Sequence, residues 1–145
     1  MKEPDNNIKI LYNALSYHEY LELINSVYWK IPSERLLKIS LKNGINVKCV
    51  FNNETIGMAR FVTDGGYAGL IMDVVVKPAY QKKGYGKMML SSLLDYLKGN
   101  LLPGEEMMIQ LLSAPQKQAF YEKFGFKVNK KVAEDGMYMW LINGK

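Results

Sequence analysis

The sequence is poor in the residues that usually bind metals or form cross-links. Of its 145 residues, only one is a histidine and one a cysteine. A single cysteine excludes an internal disulfide, and Cys49 stands among apolar neighbours (Val47, Val50 and Phe51), which predicts a buried strand thiol. The carboxylates show neither HExxH nor EF-hand spacing. The composition therefore predicts no metal site.

Long apolar runs are also missing. No uncharged apolar stretch approaches ~18 residues, the length needed to cross a membrane. The first residues, MKEPDNNIK, contain no apolar signal region. These absences predict a cytoplasmic protein without membrane partners.

Positive charge is in modest excess, since Lys and Arg outnumber Asp and Glu by 19 to 14, for a net charge of +5. Such an excess suits an anionic ligand, but it is equally typical of a solubilising surface. A small basic nucleic-acid-binding domain is the weaker alternative. It would need clustered Lys and Arg interleaved with aromatics, whereas the positive residues here are scattered along the chain, with one group at 82–87. We therefore expect no nucleic-acid partner.

The chain does contain a regular succession of apolar segments. Its total length suits one domain. Period-2 and apolar runs predict strands at Asn7–Tyr12, Val47–Phe51, Thr55–Val62, Tyr67–Val76, Glu106–Leu112 and Gly136–Ile142. Helical spacing predicts helices that start at Ser16, at Pro32 and after Gly86, with a short one at Pro115–Phe124. Ser16 and Glu19 have the spacing of a capping box. Asn52, Asn53 and Glu54 predict a hairpin turn.

The segment QKKGYGK, residues Gln81–Lys87, lies between a predicted strand and a predicted helix. A glycine-rich turn at this place is a recurrent anion site, because free N–H groups and the helix dipole favour a negative ligand. A dinucleotide fingerprint would need glycine at the position of Met89. A P-loop would need glycine at Gln81 and a hydroxyl at Met88. Both of these patterns fail.

The spacing of Gln81, Gly84 and Gly86 fits the pattern [QR]xxGx[GA]. Together with DVVVKPAYQKKGYGKMML and LLSAPQKQAFYEKFGFK, it resembles the acetyl-CoA pyrophosphate loop and the following motif of the GNAT superfamily of N-acetyltransferases. The motifs cover roughly Asp73 to Lys127, and the order of elements covers the chain. The resemblance implies an α/β (α+β) fold in a single domain, 1–145. Its mixed, mostly antiparallel sheet would have about six to seven strands, flanked by about four helices.

The same resemblance implies how the co-substrate acetyl-CoA is bound. Backbone N–H groups of the loop would bind its pyrophosphate, with lysine side chains adding charge. These residues are Gln81, Lys82, Lys83, Gly84, Tyr85, Gly86 and Lys87. Main-chain groups of Val74, Val75 and Val76 would face the thioester and the pantetheine. Many family members carry an asparagine near Ser113, so either Ser113 replaces it or nothing does.

Tyr121, in AFYEKFGF, corresponds by resemblance to the general acid that protonates the departing thiolate. Without the motif, packing against Phe120 and Phe124 would explain it. Asp73 is the first candidate for the base that takes the proton of the amine, because a charge in mid-strand must be compensated or used. Asp73 could instead form an ion pair that fixes the strand. Asp64 is better explained as a turn residue and His18 as an exposed helix residue than as a base, and an amine that arrives already deprotonated would need no base.

Aromatic side chains are the candidates for binding the acceptor amine. They are Tyr28, Trp29, Phe61, Tyr67 and Trp140, and each could equally belong to the core. A closed aromatic pocket would favour a small-molecule amine, and an open groove would favour a protein N-terminus or lysine. A CoA-binding module without catalysis is the alternative of another class. A homodimer is compatible with all of these.

Overall fold

The computed structural model describes residues 7–128, 139–140 and 143. The strands are β1 (Ile8–Tyr12), β2 (Ile45–Phe51), β3 (Glu54–Thr63), β4 (Ala68–Val76) and β5 (Met108–Leu111). The helices are α1 (Tyr17–Ser26), α2 (Glu34–Asn43), α3 (Tyr85–Gly99) and α4 (Gln118–Glu122), with a 3₁₀ turn at Pro78–Tyr80. This succession confirms the predicted mixture of strands and helices.

The strands form one sheet with the order β1-β2-β3-β4-β5. Neighbours are antiparallel from β1 to β4, and β5 is parallel to β4. Asn52 and Asn53 form the tight turn between β2 and β3 with φ of 48° and 65°, a conformation that asparagine tolerates better than most residues. A parallel pair needs a crossover connection, which here contains α3.

The helix ends follow local sequence signals. Ser16 caps α1 and forms the predicted capping box with Glu19. Ser33 caps α2, which is followed by Gly44. The first helix ends at Ser26, and Tyr28 shortly after it adopts a left-handed φ of 60° that a helix cannot continue through.

Both faces of the sheet are covered. Met58 and Val75 pack with Tyr20, Leu23 and Ile24 of α1 on one face. The adjacent Gly57 points the other way, where a Cβ atom would lie 2.8 Å from Cε of Met89 in α3. Cys49 is fully buried, as predicted, and burial raises the pKa of its thiol to about 11. No helix in the described part of the chain combines the length and apolar character needed to cross a membrane.

The chain divides into two compact units, residues 1–111 and residues 112–145. The first contains the sheet and α1 to α3, and the second contains α4. The sheet has five strands among the described residues, against the six to seven expected. The sixth predicted strand, Gly136–Ile142, lies outside the described residues except for Met139 and Trp140.

Candidate cofactor and acceptor site

A β-bulge interrupts the pairing of β3 with β4. Arg60 lies opposite Met72 and Met58 lies opposite Val75, so Ala59 faces two residues, Asp73 and Val74. Asp73 has a φ of 52°, in the left-handed region that aspartate visits more readily than most side chains. A bulge leaves one residue out of the ladder, so the regular pairing of β4 with β3 is interrupted at Asp73 and Val74.

The Asp73 side chain is held by two donors. Arg60 donates from Nε at 2.8 Å and Tyr20 from its hydroxyl at 3.0 Å, both to Oδ2. The ion pair that sequence analysis gave as the alternative role of Asp73 is therefore present. Within the described residues, Oδ1 has no hydrogen-bond partner. Burial, with the neighbouring Asp73 charge, raises the pKa of Tyr20, so its phenol remains a donor.

The glycine-rich loop exposes a run of free N–H groups. Among the described residues, no acceptor is found for the backbone N–H groups from Lys82 to Lys87, and the first helical bond of α3 runs from Met88 N to Gly84 O at 3.0 Å. Lys82 and Gly84 have φ of 61° and 91°. Left-handed residues that alternate with ordinary ones turn successive N–H groups toward one side, which makes an anion-binding concavity.

Gln81 differs from the rest of the loop. Its N–H already donates to Pro78 O at 3.3 Å, and its side-chain Nε2 donates to Val76 O at 2.9 Å. Gln81 therefore ties the loop to the end of β4 instead of offering a free N–H group. Lys82, Lys83 and Lys87 are exposed around the loop and carry its positive charge.

Tyr121 lies in α4 of the second unit, where its ring contacts Phe120 and Phe126 at centroid distances of 5.0 Å and 6.1 Å. It is half-buried, and burial raises the pKa of its phenol above the ordinary value. Its hydroxyl has no partner among the described residues. In the same unit, Ser113 Oγ donates to Ala114 O, and Trp140 is exposed.

The predicted acceptor residues of the first unit have different environments. Tyr28 is 95% exposed, and Trp29 and Tyr67 are also exposed. Phe61, by contrast, is fully buried with its ring over Gly69, where a Cβ atom would lie 2.1 Å from the ring. This burial does not fit a side chain that lines an acceptor pocket, so Phe61 is assigned to the core.

Sequence analysis missed the residues that hold the site in place. Arg60 and Tyr20 belong to no recognisable motif, although the charge of Asp73 in mid-strand already required a hydrogen-bonding or charged partner. The left-handed conformation of Lys82 gave no signal either, because lysine has no preference for it. No group of three or more His, Cys, Asp and Glu side chains in the described residues is placed to hold a metal ion.

Comparison with known proteins identifies the family of this chain. Residues 45–128 match the acetyltransferase (GNAT) domain. The chain is 31% identical to the uncharacterised N-acetyltransferase ycf52 of Pyropia yezoensis, over 77% of this chain and 65% of that protein. The chain belongs to the GNAT acetyltransferase family. It is also 29% identical to a Glycine max protein named histone acetyltransferase TAP1, over 97% of this chain and 65% of that protein.

The GNAT fold is shared with solved structures. A probable acetyltransferase from methicillin-resistant Staphylococcus aureus has a TM-score of 0.81 and 24% identity, over 92% of this chain and 99% of that one. Likeness at this identity establishes the fold alone. The shared fold confirms the predicted α/β class. The GNAT resemblance inferred from the spacing of Gln81, Gly84 and Gly86 is confirmed by the family match, which includes these residues.

Proposed function

We propose that this protein is an acetyl-CoA-dependent N-acetyltransferase that moves an acetyl group to a primary amine, by direct attack within a ternary complex. The observation that carries the proposal is the row of N–H groups from Lys82 to Lys87, which have no acceptor among the described residues, in a chain of GNAT membership. The family match, 45–128, crosses the boundary between the two units. This supports residues 1–145 acting as one N-acetyltransferase domain, for which we keep the expected cytoplasmic location.

The residues of the loop fit a diphosphate. Free N–H groups at the start of a helix hydrogen-bond phosphate oxygens, and the helix dipole adds to the attraction. Lys82, Lys83 and Lys87 supply positive charge, although exposed lysines each contribute only ~0.2–1 kcal/mol. The main chain of Val74, Val75 and Val76, next to the bulge, would hydrogen-bond the pantetheine and the thioester oxygen. Ser113 is retained as a candidate contact.

Acetyl-CoA would supply the activated acetyl group. The amine nitrogen attacks the carbonyl carbon, the carbon–sulfur bond breaks, and the sulfur leaves as a thiolate. We assign to the Tyr121 hydroxyl the donation of a proton to that sulfur, since it is half-buried, remains protonated and has no partner among the described residues. We assign to Asp73 the removal of the amine proton, through the carboxylate oxygen that neither Arg60 nor Tyr20 occupies.

For the acceptor, we keep a small-molecule amine as the first candidate. Tyr28 and Trp29 are adjacent exposed aromatics in the connection between α1 and α2, and Tyr67 is exposed before β4. Aromatic faces of this kind suit an apolar or cationic amine, but their exposure does not form a closed pocket. A protein amine is the second candidate, and the observation that favours it is the relative named histone acetyltransferase TAP1. A homodimer is compatible with either acceptor.

An amine panel that follows CoA release tests the proposal. It should contain arylalkylamines, polyamines, aminoglycosides and peptides with a free N-terminus or lysine, each with acetyl-CoA. We expect turnover with at least one small amine and none without an amine. Turnover with peptides alone would move the acceptor to proteins. Binding of acetyl-CoA without turnover on any amine would instead identify a non-catalytic acetyl-CoA-binding module.

A further inference from the structure

Lys77 connects β4, α1 and β3 just before the glycine-rich loop, residues 81–87, which is called the anion loop below. It follows β4 directly and is only 9% exposed. Its Nζ donates to Glu22 of α1 at 2.5 Å and to Glu54 of β3 at 2.8 Å, and its N–H donates to Ile56 O at 2.9 Å. Burial opposes the charge of Lys77, but its hydrogen bonds to both carboxylates raise the pKa of the ammonium above its ordinary value.

Glu54 connects this lysine to the residue that precedes the loop. Its Oε1 accepts from Lys77 and its Oε2 accepts from the hydroxyl of Tyr80 at 2.9 Å. Tyr80 is the last residue of the 3₁₀ turn, immediately before Gln81. The first residue of β3 therefore holds both ends of the turn that leads into the loop.

A cluster of aromatic rings holds the two ends of the loop together. Tyr80 precedes the loop, and Tyr85, in its second half, begins α3. Their ring centroids are 6.4 Å apart, and Phe51 of β2 lies 5.9 Å from Tyr80 and 6.5 Å from Tyr85. Because Phe51 ends β2, the β2–β3 hairpin contacts both tyrosines through this ring.

The loop needs such support because its conformation is unfavourable by itself. Lys82 has a left-handed φ of 61°, which a non-glycine side chain adopts at an energetic cost. The N–H groups from Lys82 to Lys87 have no acceptor among the described residues, so backbone hydrogen bonds from them do not hold the loop in place. In isolation, the segment would leave this conformation, and a ligand would have to reorder it on binding.

We propose that Phe51, Glu54 and Tyr80 are positioning residues that hold the loop in its anion-binding conformation before the ligand arrives. This inference rests on the proposed function, in which the loop binds the diphosphate of acetyl-CoA. The β2–β3 hairpin then sets the affinity for every diphosphate-bearing ligand, although it does not touch the ligand. When a binding-competent conformation is only partly populated, the apparent dissociation constant rises by the inverse of that population.

Two variants test the inference. Tyr80→Phe removes the hydroxyl that donates to Glu54 and keeps the ring, and Phe51→Leu removes a ring and keeps an apolar side chain. The matched control is Tyr96→Phe in α3, the helix that follows the loop. Tyr96 stacks on Tyr12 at 5.0 Å and its hydroxyl accepts from Asn13, so the control loses a comparable exposed contact far along the helix from the loop.

Calorimetric titration of the full chain should use CoA, inorganic pyrophosphate and pantetheine, which lacks the diphosphate. We expect Tyr80→Phe and Phe51→Leu to weaken binding of CoA and pyrophosphate about three- to tenfold, the effect of losing one modest contact. Pantetheine affinity should stay unchanged, and so should all three affinities in Tyr96→Phe. Amide hydrogen exchange at residues 82–87, measured without ligand, should be faster in both test variants than in the parent.

The same measurements distinguish a failure of this inference from a failure of the proposed function. Variants that bind CoA and pyrophosphate within twofold of the parent, with unchanged exchange, would overturn the positioning role. Equal losses for pantetheine and CoA would show general damage and overturn it as well. If the parent binds pyrophosphate but not CoA, the proposed function fails, and the pyrophosphate series alone decides the inference. If the parent binds neither, both proposals fail.

Discussion

Arg60 and Asp73 form an ion pair across the β3–β4 bulge, with Nε 2.8 Å from Oδ2 and the two side chains 9% and 15% exposed. Two charges that are this far removed from water need each other, since removing one partner of a buried pair costs about 3–5 kcal/mol. The pair therefore compensates the charge of Asp73 and stabilises the left-handed residue of the bulge. The pair occupies only Oδ2. Asp73 can therefore stabilise the strand through Oδ2 and accept a proton through Oδ1.

Asp73→Asn separates these roles, because asparagine keeps an oxygen acceptor for Arg60 and Tyr20 but cannot take a proton. We expect turnover to fall by ~10²–10⁴ near neutral pH, the usual effect of removing a positioned base. The deficit should shrink as the pH rises toward the amine pKa of ~10, where the acceptor arrives deprotonated. Asp64→Asn is the control, since its side chain accepts from Gly66 N in an exposed turn and has no other partner in the described part of the chain. If the loss of turnover in Asp73→Asn is the same at every pH, Asp73 is not the base and has only the structural role of pairing with Arg60.

Tyr121→Phe tests the general acid. The substitution removes one oxygen and keeps the ring contacts with Phe120 and Phe126, so unfolding temperature and acetyl-CoA affinity should change little. We expect kcat to fall by ~10²–10⁴ with a small effect on KM, because the contact strengthens as charge develops on sulfur. Burial raises the pKa of Tyr121, so the alkaline loss of the acid should begin only above the ordinary phenol value of ~10. A kcat within about twofold of the parent, with chemistry rate-limiting, would refute the role, since twofold is only ~0.4 kcal/mol.

Gly86→Val tests the anion loop itself. A branched side chain in the first turn of α3 should obstruct the approach of a diphosphate to the backbone, and titration should show weaker acetyl-CoA binding in a protein that still folds. Gly99→Val is the matched control at the other end of α3, where a Cβ atom meets nothing within 4 Å. Unchanged affinity in a folded Gly86→Val protein would exclude this loop as the diphosphate site.

Glu19 provides a prediction about stability against pH. Burial raises the pKa of its carboxyl, but hydrogen bonds from Lys48, Thr55 and Ser16 outweigh burial and lower the pKa to about 2. Because the folded value lies below the unfolded value of 4.5, the stabilisation is complete above pH 4.5 and is lost as the pH falls toward 2. Glu19→Gln should lower the free energy of unfolding by about 1–2 kcal/mol at pH 7.

Thermal unfolding from pH 7 to pH 2 measures this effect. The difference between the parent and Glu19→Gln should narrow as the pH falls below the unfolded value. Glu34→Gln is the control, because the Glu34–Lys38 pair is exposed and should change stability little at any pH. A difference that stays constant down to pH 2 would contradict the assignment of the charged carboxylate.

Chelation tests the prediction that no metal is needed. The single histidine and single cysteine provide few soft ligands, and the proposed chemistry requires only the loop, Tyr121 and Asp73. Activity should persist after treatment with EDTA and dialysis. Loss of activity that one particular divalent ion restores would show that the protein does hold a metal site.

Much of the fold could be predicted because its signals are local. The capping box of Ser16 and Glu19, the Asn52–Asn53 turn and the glycine-rich loop each depend on neighbours within a few residues, and the structure contains all of them. The predicted first and last residues of the helices and strands were less accurate than their order. The helix predicted at Pro115–Phe124 is only Gln118–Glu122, and the strand predicted at Glu106–Leu112 is only Met108–Leu111.

The sequence by itself determined the order of the elements and the place of the glycine-rich loop, because these follow from short-range spacing and periodicity, and its motifs resemble those of the GNAT family. Only the tertiary structure decided that Asp73 pairs with Arg60 and Tyr20, that Phe61 is buried over Gly69, and that Glu54 reaches Tyr80. Each of these depends on strand register and on a bulge that shifts it. Register is set by the packing of whole strands and helices against each other, which no local stretch of residues specifies.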